Sequence, residues 1–158
     1  MKHLHIYPYG DWRFYFLLSL LVFLQGCTPL IGPYSPVAYQ NATSLKVETL
    51  AMMDKATDPY DEHKNEVEKL FIEVNKAHEF VQGIPSNSIS AEQWAILIKR
   101  DGDLMGRFFS HWHDSKTLSK VYIDEFKQVI SDSFDQIICL EANKKELKLC
   151  NSTENKHE

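Results

Sequence analysis

The residues best suited to chemistry in this 158-residue chain are three cysteines and a short run of histidines near its middle. Cys139 and Cys150 lie close enough to pair, but nothing resembles a Cys-x-x-Cys redox motif. His111-Trp112-His113-Asp114 offers two imidazoles and a carboxylate within four positions. On a helix, however, side chains two apart diverge by about 200°, so His111 and His113 cannot share an ion there. His63 and His78 are fifteen positions apart, roughly 22 Å along a helix, and read as histidines at the edge of a core.

Asp54, Asp58, Asp61 and Glu62 form an acidic cluster, but it lacks the central Gly and terminal Glu of a calcium-binding loop. Asp58 is better placed to cap a helix, and Asp61 to complement its N-terminal dipole. No Gly-x-Ser-x-Gly turn, Gly-rich phosphate loop or His-Glu-x-x-His motif occurs. The expectation is a non-catalytic protein with no cofactor and no metal site. The aromatic group Trp94, Phe108, Phe109 and Trp112 has the spacing of a buried helix face. If a break splays that helix, the same rings become a candidate partner-binding patch.

The elements that must position these groups are helical throughout. Cys27 to Tyr34 (CTPLIGPY) holds two prolines and a glycine and reads as a tether. Ser35-Pro36 then opens a first helix running to about Thr57, with Ala38, Ala42, Leu45, Leu50, Met53 and Ala56 on one side. Asp58-Pro59 repeats the device. Tyr60, His63, Val67, Leu70, Phe71, Val74, Ala77, His78 and Val81 follow as one amphipathic stripe, ended by Gly83 and Pro85. A third helix is expected from a Ser90 cap, with Gln93 in a capping box and Ile89 stapling onto Trp94. It should break or kink near Gly102 and resume through Trp112.

A fourth helix is expected from about Ser119 to Ala142, burying Tyr122, Phe126, Val129, Ile130, Ser133, Ile137 and Leu140. At about 100° per residue Cys139 falls off that stripe. No strand-period segment and no internal repeat appears. The fold class expected is all-α, a four-helix bundle over residues 35–142, with a short charged tail at 143–158.

Ahead of the bundle, the N-terminus has the parts of an export signal. Lys2 and Arg13 flank a polar and aromatic start, and Phe14 to Leu24 (FYFLLSLLVFL) is apolar apart from Ser19. Eleven residues span roughly 16 Å, about half the hydrocarbon thickness, too short for a permanent transmembrane helix. Leu24-Gln25-Gly26-Cys27 follows at once. This resembles the lipobox of bacterial lipoproteins, in which a Leu and a small residue precede the cysteine that is acylated. The resemblance implies cleavage after Gly26, recognition through Leu24 and Gly26, and lipid on Cys27. Thr28, where an Asp would favour the inner membrane, implies an outer-membrane address facing the periplasm in a host with two membranes. Several acyl chains give stable attachment where one would be marginal.

Removing 26 of 158 residues leaves 132, one domain's worth. The signal carries two basic residues and one acid, so the net charge moves from −5 to −6. An acidic surface argues against nucleic acid, whose phosphates demand a basic face. In an exported chain disulfides persist, which favours a Cys139–Cys150 bond over two free thiols. In size, anchor and helical class the mature domain resembles the small helical envelope lipoproteins of bacteria, pilotin-like ones among them. That resemblance implies a membrane-anchored, non-catalytic binding or assembly factor for another envelope protein. The alternative is a carrier holding a small apolar ligand between its helices.

Overall fold

The computed structural model describes residues 32–144 and Cys150. The lipobox-like residues Leu24, Gly26 and Cys27 lie outside them. Five α-helices make up the described residues, and no strand occurs among them. They are α1 (Pro36–Asp54), α2 (Tyr60–Gln82), α3 (Ser88–Ile98), α4 (Met105–Ser115) and α5 (Lys120–Ala142), with a 3-10 turn at Lys55–Thr57. The fold is all-α, and α3 with α4 forms the interrupted third member of a four-membered bundle. Around it, α1 packs on α2 and α5, while α3 closes the ring between α2 and α5. No described helix is long and apolar enough to cross a membrane.

Local rules account for most of these boundaries. Ser35 caps α1 by accepting the Ala38 amide at 3.3 Å, with Pro36 in the first turn, where its missing N–H costs nothing. Ser119 caps α5 in the same way, accepting from Tyr122. The start of α2 differs from the expected Asp58 cap. Asp58 is extended and makes no side-chain cap; its carboxylate instead approaches His63 Nε2 at 3.5 Å. The Tyr60 amide is taken by the Lys116 carbonyl at 2.9 Å, and the Leu118 amide donates to the Ala56 carbonyl at 2.7 Å. Backbone of the 116–118 connection thus supplies what a cap would have supplied, and ties that end of the bundle shut.

The break expected near Gly102 is present, as residues 99–104 separate α3 from α4. Gly102 donates its amide to Lys99 in a tight turn. The more demanding position is Gly106, where a Cβ would overlap the carbonyl oxygens of Lys99 and Arg100. Only a glycine lets the first turn of α4 sit so close to the chain that leads into it. The start of α3 also departs from expectation. The helix begins at Ser88, two residues ahead of Ser90, so Gln93 is not in capping-box register. Ser90 is buried within the helix, its hydroxyl turned to Lys144 Nζ at 3.3 Å.

The α5 stripe is rotated from its expected position. Ile123, Ile130, Phe134, Ile137, Leu140 and Glu141 are buried, whereas Val129 is exposed and Tyr122, Phe126 and Ser133 are half-buried. The cause is Phe134, which packs edge-on to Trp94 at 5.8 Å and draws its own azimuth into the centre. The α2 stripe is as expected, with His63 and His78 at its half-buried margins.

Candidate functional site

The aromatic residues proposed as a patch are core. Trp94, Phe108 and Trp112 are fully buried and Phe109 nearly so. Phe108 and Phe109 meet at 5.2 Å, Phe109 packs on Phe71, and Trp112 packs on Tyr60, mostly edge to face. The break does not splay α4 away, because the apolar face of its eleven residues is still covered by α2. Those four rings therefore offer no surface to a partner. What the break creates is a cleft beside them.

That cleft, about 310 Å³, lies between α2 and α4 and is lined by Tyr60, Glu68, Phe71, Arg100, Ser110, His113 and Asp114, among others. Arg100 follows α3 at the start of the break, so its side chain is free to fold back over α2. Its guanidinium sits 4.3 Å from the Phe71 ring centroid. Its two terminal nitrogens reach the Glu68 carboxylate at 2.9 and 3.4 Å. A planar cation is thereby held by a ring below and a carboxylate beside it, a geometry suited to Arg and not to Lys. The Arg100 hydrogen bond holds the Glu68 carboxyl below its ordinary range, outweighing the opposing effect of burial. Burial, reinforced by Glu68, pushes the Tyr60 hydroxyl up.

On the opposite wall His113 meets the Tyr60 ring edge-on at 5.0 Å, and its Nδ1 lies 2.9 Å from Asp114 Oδ1. His111, two residues earlier, turns to the other side of α4 and packs on Tyr122 of α5 at 4.9 Å. The two imidazoles diverge as helical spacing requires. No group of three or more metal-ligating side chains occurs among the described residues. Ser110, His113 and Asp114 share the cleft, and among the described residues no hydrogen bond joins Ser110 to His113. The cleft presents a stacked cation, its paired carboxylate and aromatic rings, groups suited to recognition by charge and ring.

A second polar cluster closes the other end of the bundle. Asn87, Ser90 and Glu141 are buried, and the Lys144 side chain with them. Lys144 Nζ donates to Asn87 Oδ1 at 2.6 Å and stands 2.8 Å from Glu141 Oε2, off the line of a good hydrogen bond. Asn87 Nδ2 reaches Glu141 Oε1 at 3.4 Å. The Cys139–Cys150 disulfide is present, with Cα atoms 5.7 Å apart, and the loop it closes contains Lys144. Lys144 therefore belongs to the folded unit and not to a free tail. Gly32 is buried at the same end: a Cβ there would come within 2.6 Å of the Pro85 carbonyl oxygen. The stretch read as a tether thus already packs on the 84–87 loop at residue 32.

Neither the Arg100–Glu68–Phe71 arrangement nor the Asn87–Glu141–Lys144 cluster was singled out from the sequence. Arg100 beside a glycine-bearing break was the one available signal for the first. Nothing local announced the second. No family model matches this chain, and no curated protein or solved structure matches it either.

Proposed function

We propose that this chain is a lipid-anchored envelope protein whose helical bundle acts as a non-catalytic binding or assembly factor for another envelope protein. The anchor rests on the apolar run Phe14 to Leu24 and the Leu24-Gln25-Gly26-Cys27 motif, and Thr28 favours the outer membrane, facing the periplasm. The observation that carries the binding role is Arg100, stacked on Phe71 and paired with Glu68 in an accessible cleft. Arginine and aromatic side chains held in place before contact are the kind that concentrate binding energy, because little freedom is lost on association. Tyr60 stands at the start of α2, while Gly32, five residues from Cys27, packs beyond the end of α2. About 33 Å of helix separates Tyr60 from that end and about 16 Å separates Phe71 from it, so the cleft stands clear of the anchor.

The test is a crosslinking pull-down from native membranes, with Cys27→Ser as the unanchored control and Ser110→Arg to fill the cleft. One stoichiometric envelope partner, lost in Ser110→Arg at unchanged helicity, supports the reading. A partner whose capture ignores Ser110→Arg removes the cleft from the account. No partner at all with the lipidated protein overturns the binding role. The carrier reading needs an apolar chamber between the helices, and no observation favours it. The space it would use is taken by Trp94, Phe108, Trp112 and Phe134.

A further inference from the structure

Among the described residues the two ends of the bundle differ sharply in charge. At the end formed by the 3-10 turn and the 116–119 connection stand Asp54, Lys55, Asp58, Asp61, Lys116 and Lys120, several in ion pairs across helices. At the other end the sequence holds no Asp, Glu, Lys, Arg or His from Thr28 to Leu45, nor from Phe80 to Ala91. Those are the segments that enter α1 and connect α2 to α3. Glu141 and Lys144, which also lie there, neutralise each other out of contact with water. Lys46, His78, Glu79 and Glu92 lie just outside these stretches, and Lys145, Glu146 and Lys148 follow Lys144 in the sequence, outside the described residues.

That uncharged end exposes apolar and amphipathic side chains. Tyr34 is 54% exposed, Val37 49% and Phe80 42%. Tyr39 is exposed too, its ring 6.5 Å from that of Tyr34. Tyrosine, with an apolar ring and a polar tip, partitions to the headgroup level of a bilayer. The covalent path to the anchor is short. Five residue steps separate Cys27 from Gly32, and a fully extended chain covers at most about 18 Å in that number. Gly32 is itself seated on the 84–87 loop, so this reach is the whole distance available between lipid and bundle. A helix of 23 residues such as α2 is about 35 Å long, so the domain cannot stand off the membrane by even its own height.

We infer that the uncharged end of the bundle lies directly on the bilayer surface, with Tyr34, Val37, Tyr39 and Phe80 in the headgroup zone. This inference rests on the reading of Cys27 as the acylated residue. The surface lacks basic side chains among its described residues, so contact would depend on apolar and tyrosine burial and not on anionic lipid. The domain would stand with α1, α2 and α5 steep to the membrane and the Arg100 cleft towards the aqueous side.

Hydrogen exchange read by mass spectrometry tests this, comparing the lipidated protein in phosphatidylcholine vesicles with the Cys27→Ser protein made without its signal. Exchange in residues 33–40 and 80–87 is expected to slow by roughly tenfold on vesicles, with residues 55–62 and 116–120 unchanged. A Val37→Glu/Tyr39→Glu double variant, at exposed positions, should keep its helicity and lipid but lose that protection. Intact mass separates the two claims. Lipid on Cys27 without protection at these segments overturns the docked orientation and leaves the lipoprotein reading standing. Protection that appears only on anionic vesicles also overturns it. Absence of lipid on Cys27 in cells that process lipoproteins removes the anchor, and this inference with it.

Discussion

Lys144 and Glu141, three residues apart where α5 ends, hold their charges 2.8 Å from each other with 4% and 0% of their side chains exposed. Most surface ion pairs contribute little, because water competes for both partners. Here water is excluded, and the consequence of removing one partner changes in kind.

Lys144→Met is expected to destabilise the domain by about 3–5 kcal/mol, because it leaves the Glu141 carboxylate buried without a countercharge. The Glu141→Leu/Lys144→Met pair should recover much of that loss. Urea unfolding followed by circular dichroism would show it; a double variant as unstable as Lys144→Met alone would mean that Asn87 and Ser90, not charge balance, dominate the cluster.

Reduction of the Cys139–Cys150 bond, which spans eleven positions, should cost about 2–3 kcal/mol on the loop-entropy account. Because the loop contains Lys144, reduction and Lys144→Met should not add. A thermal melt with and without reductant, in both backgrounds, measures the coupling.

Gly106→Ala should destabilise by about 1–3 kcal/mol, since its Cβ has no room beneath the Lys99 and Arg100 carbonyls. Because relief must come from moving residues 99–104, the Arg100–Phe71 stack should loosen as well. A smaller effect at the exposed Gly83, where a Cβ meets only ordinary contacts, is the matched control.

The Arg100–Glu68 clamp predicts a pH dependence with a definite sign. The folded Glu68 pKa is depressed from its ordinary 4.5, so its stabilisation is complete above that value and fades as pH falls through the lower folded one. Arg100→Ala should lower the neutral plateau of a stability–pH curve slightly, because the pair is solvent-exposed, and converge with the wild-type curve below about 4.5, which flattens the acid limb. At the alkaline side Tyr60, raised from 10.0, loses its contribution as pH climbs through its folded pKa.

The two tryptophans of the bundle should respond differently to replacement. Trp112 Nε1 donates to the Asp58 carbonyl at 2.9 Å, whereas Trp94 Nε1 is buried without a partner. Trp112→Phe is therefore expected to cost about 1 kcal/mol more than Trp94→Phe, by equilibrium unfolding.

These relationships divide by the distance over which they act. Ser35-Pro36, Ser119, the α2 stripe and the break at Gly102 follow from neighbours within a turn or two, and all are readable from the residues themselves. The cap of α3 was misplaced because Ser90 and Asn87 answer to Lys144 and Glu141, some 54 to 57 positions later. Val129 was misassigned because Phe134, omitted from the stripe, meets Trp94 from another helix. The cleft escaped notice for a further reason: Arg100 and Glu68, 32 positions apart, look like solvated surface until the chain folds them together. The cysteine pair was legible because an eleven-residue spacing beside the end of a helix, and the export expected of the chain, favour a bond without any knowledge of packing.

Each turn of the bundle is committed to something beyond joining two helices. Residues 55–60 exchange backbone hydrogen bonds with 116–118, the 84–87 loop seats Gly32, and the carbonyls of 99–100 press on Gly106. An inserted residue in any of them would carry a donor past its acceptor or a carbonyl into a neighbour. Among the described residues this domain offers no neutral position for lengthening between helices, so a reporter or affinity sequence belongs at the C-terminal side of Cys150.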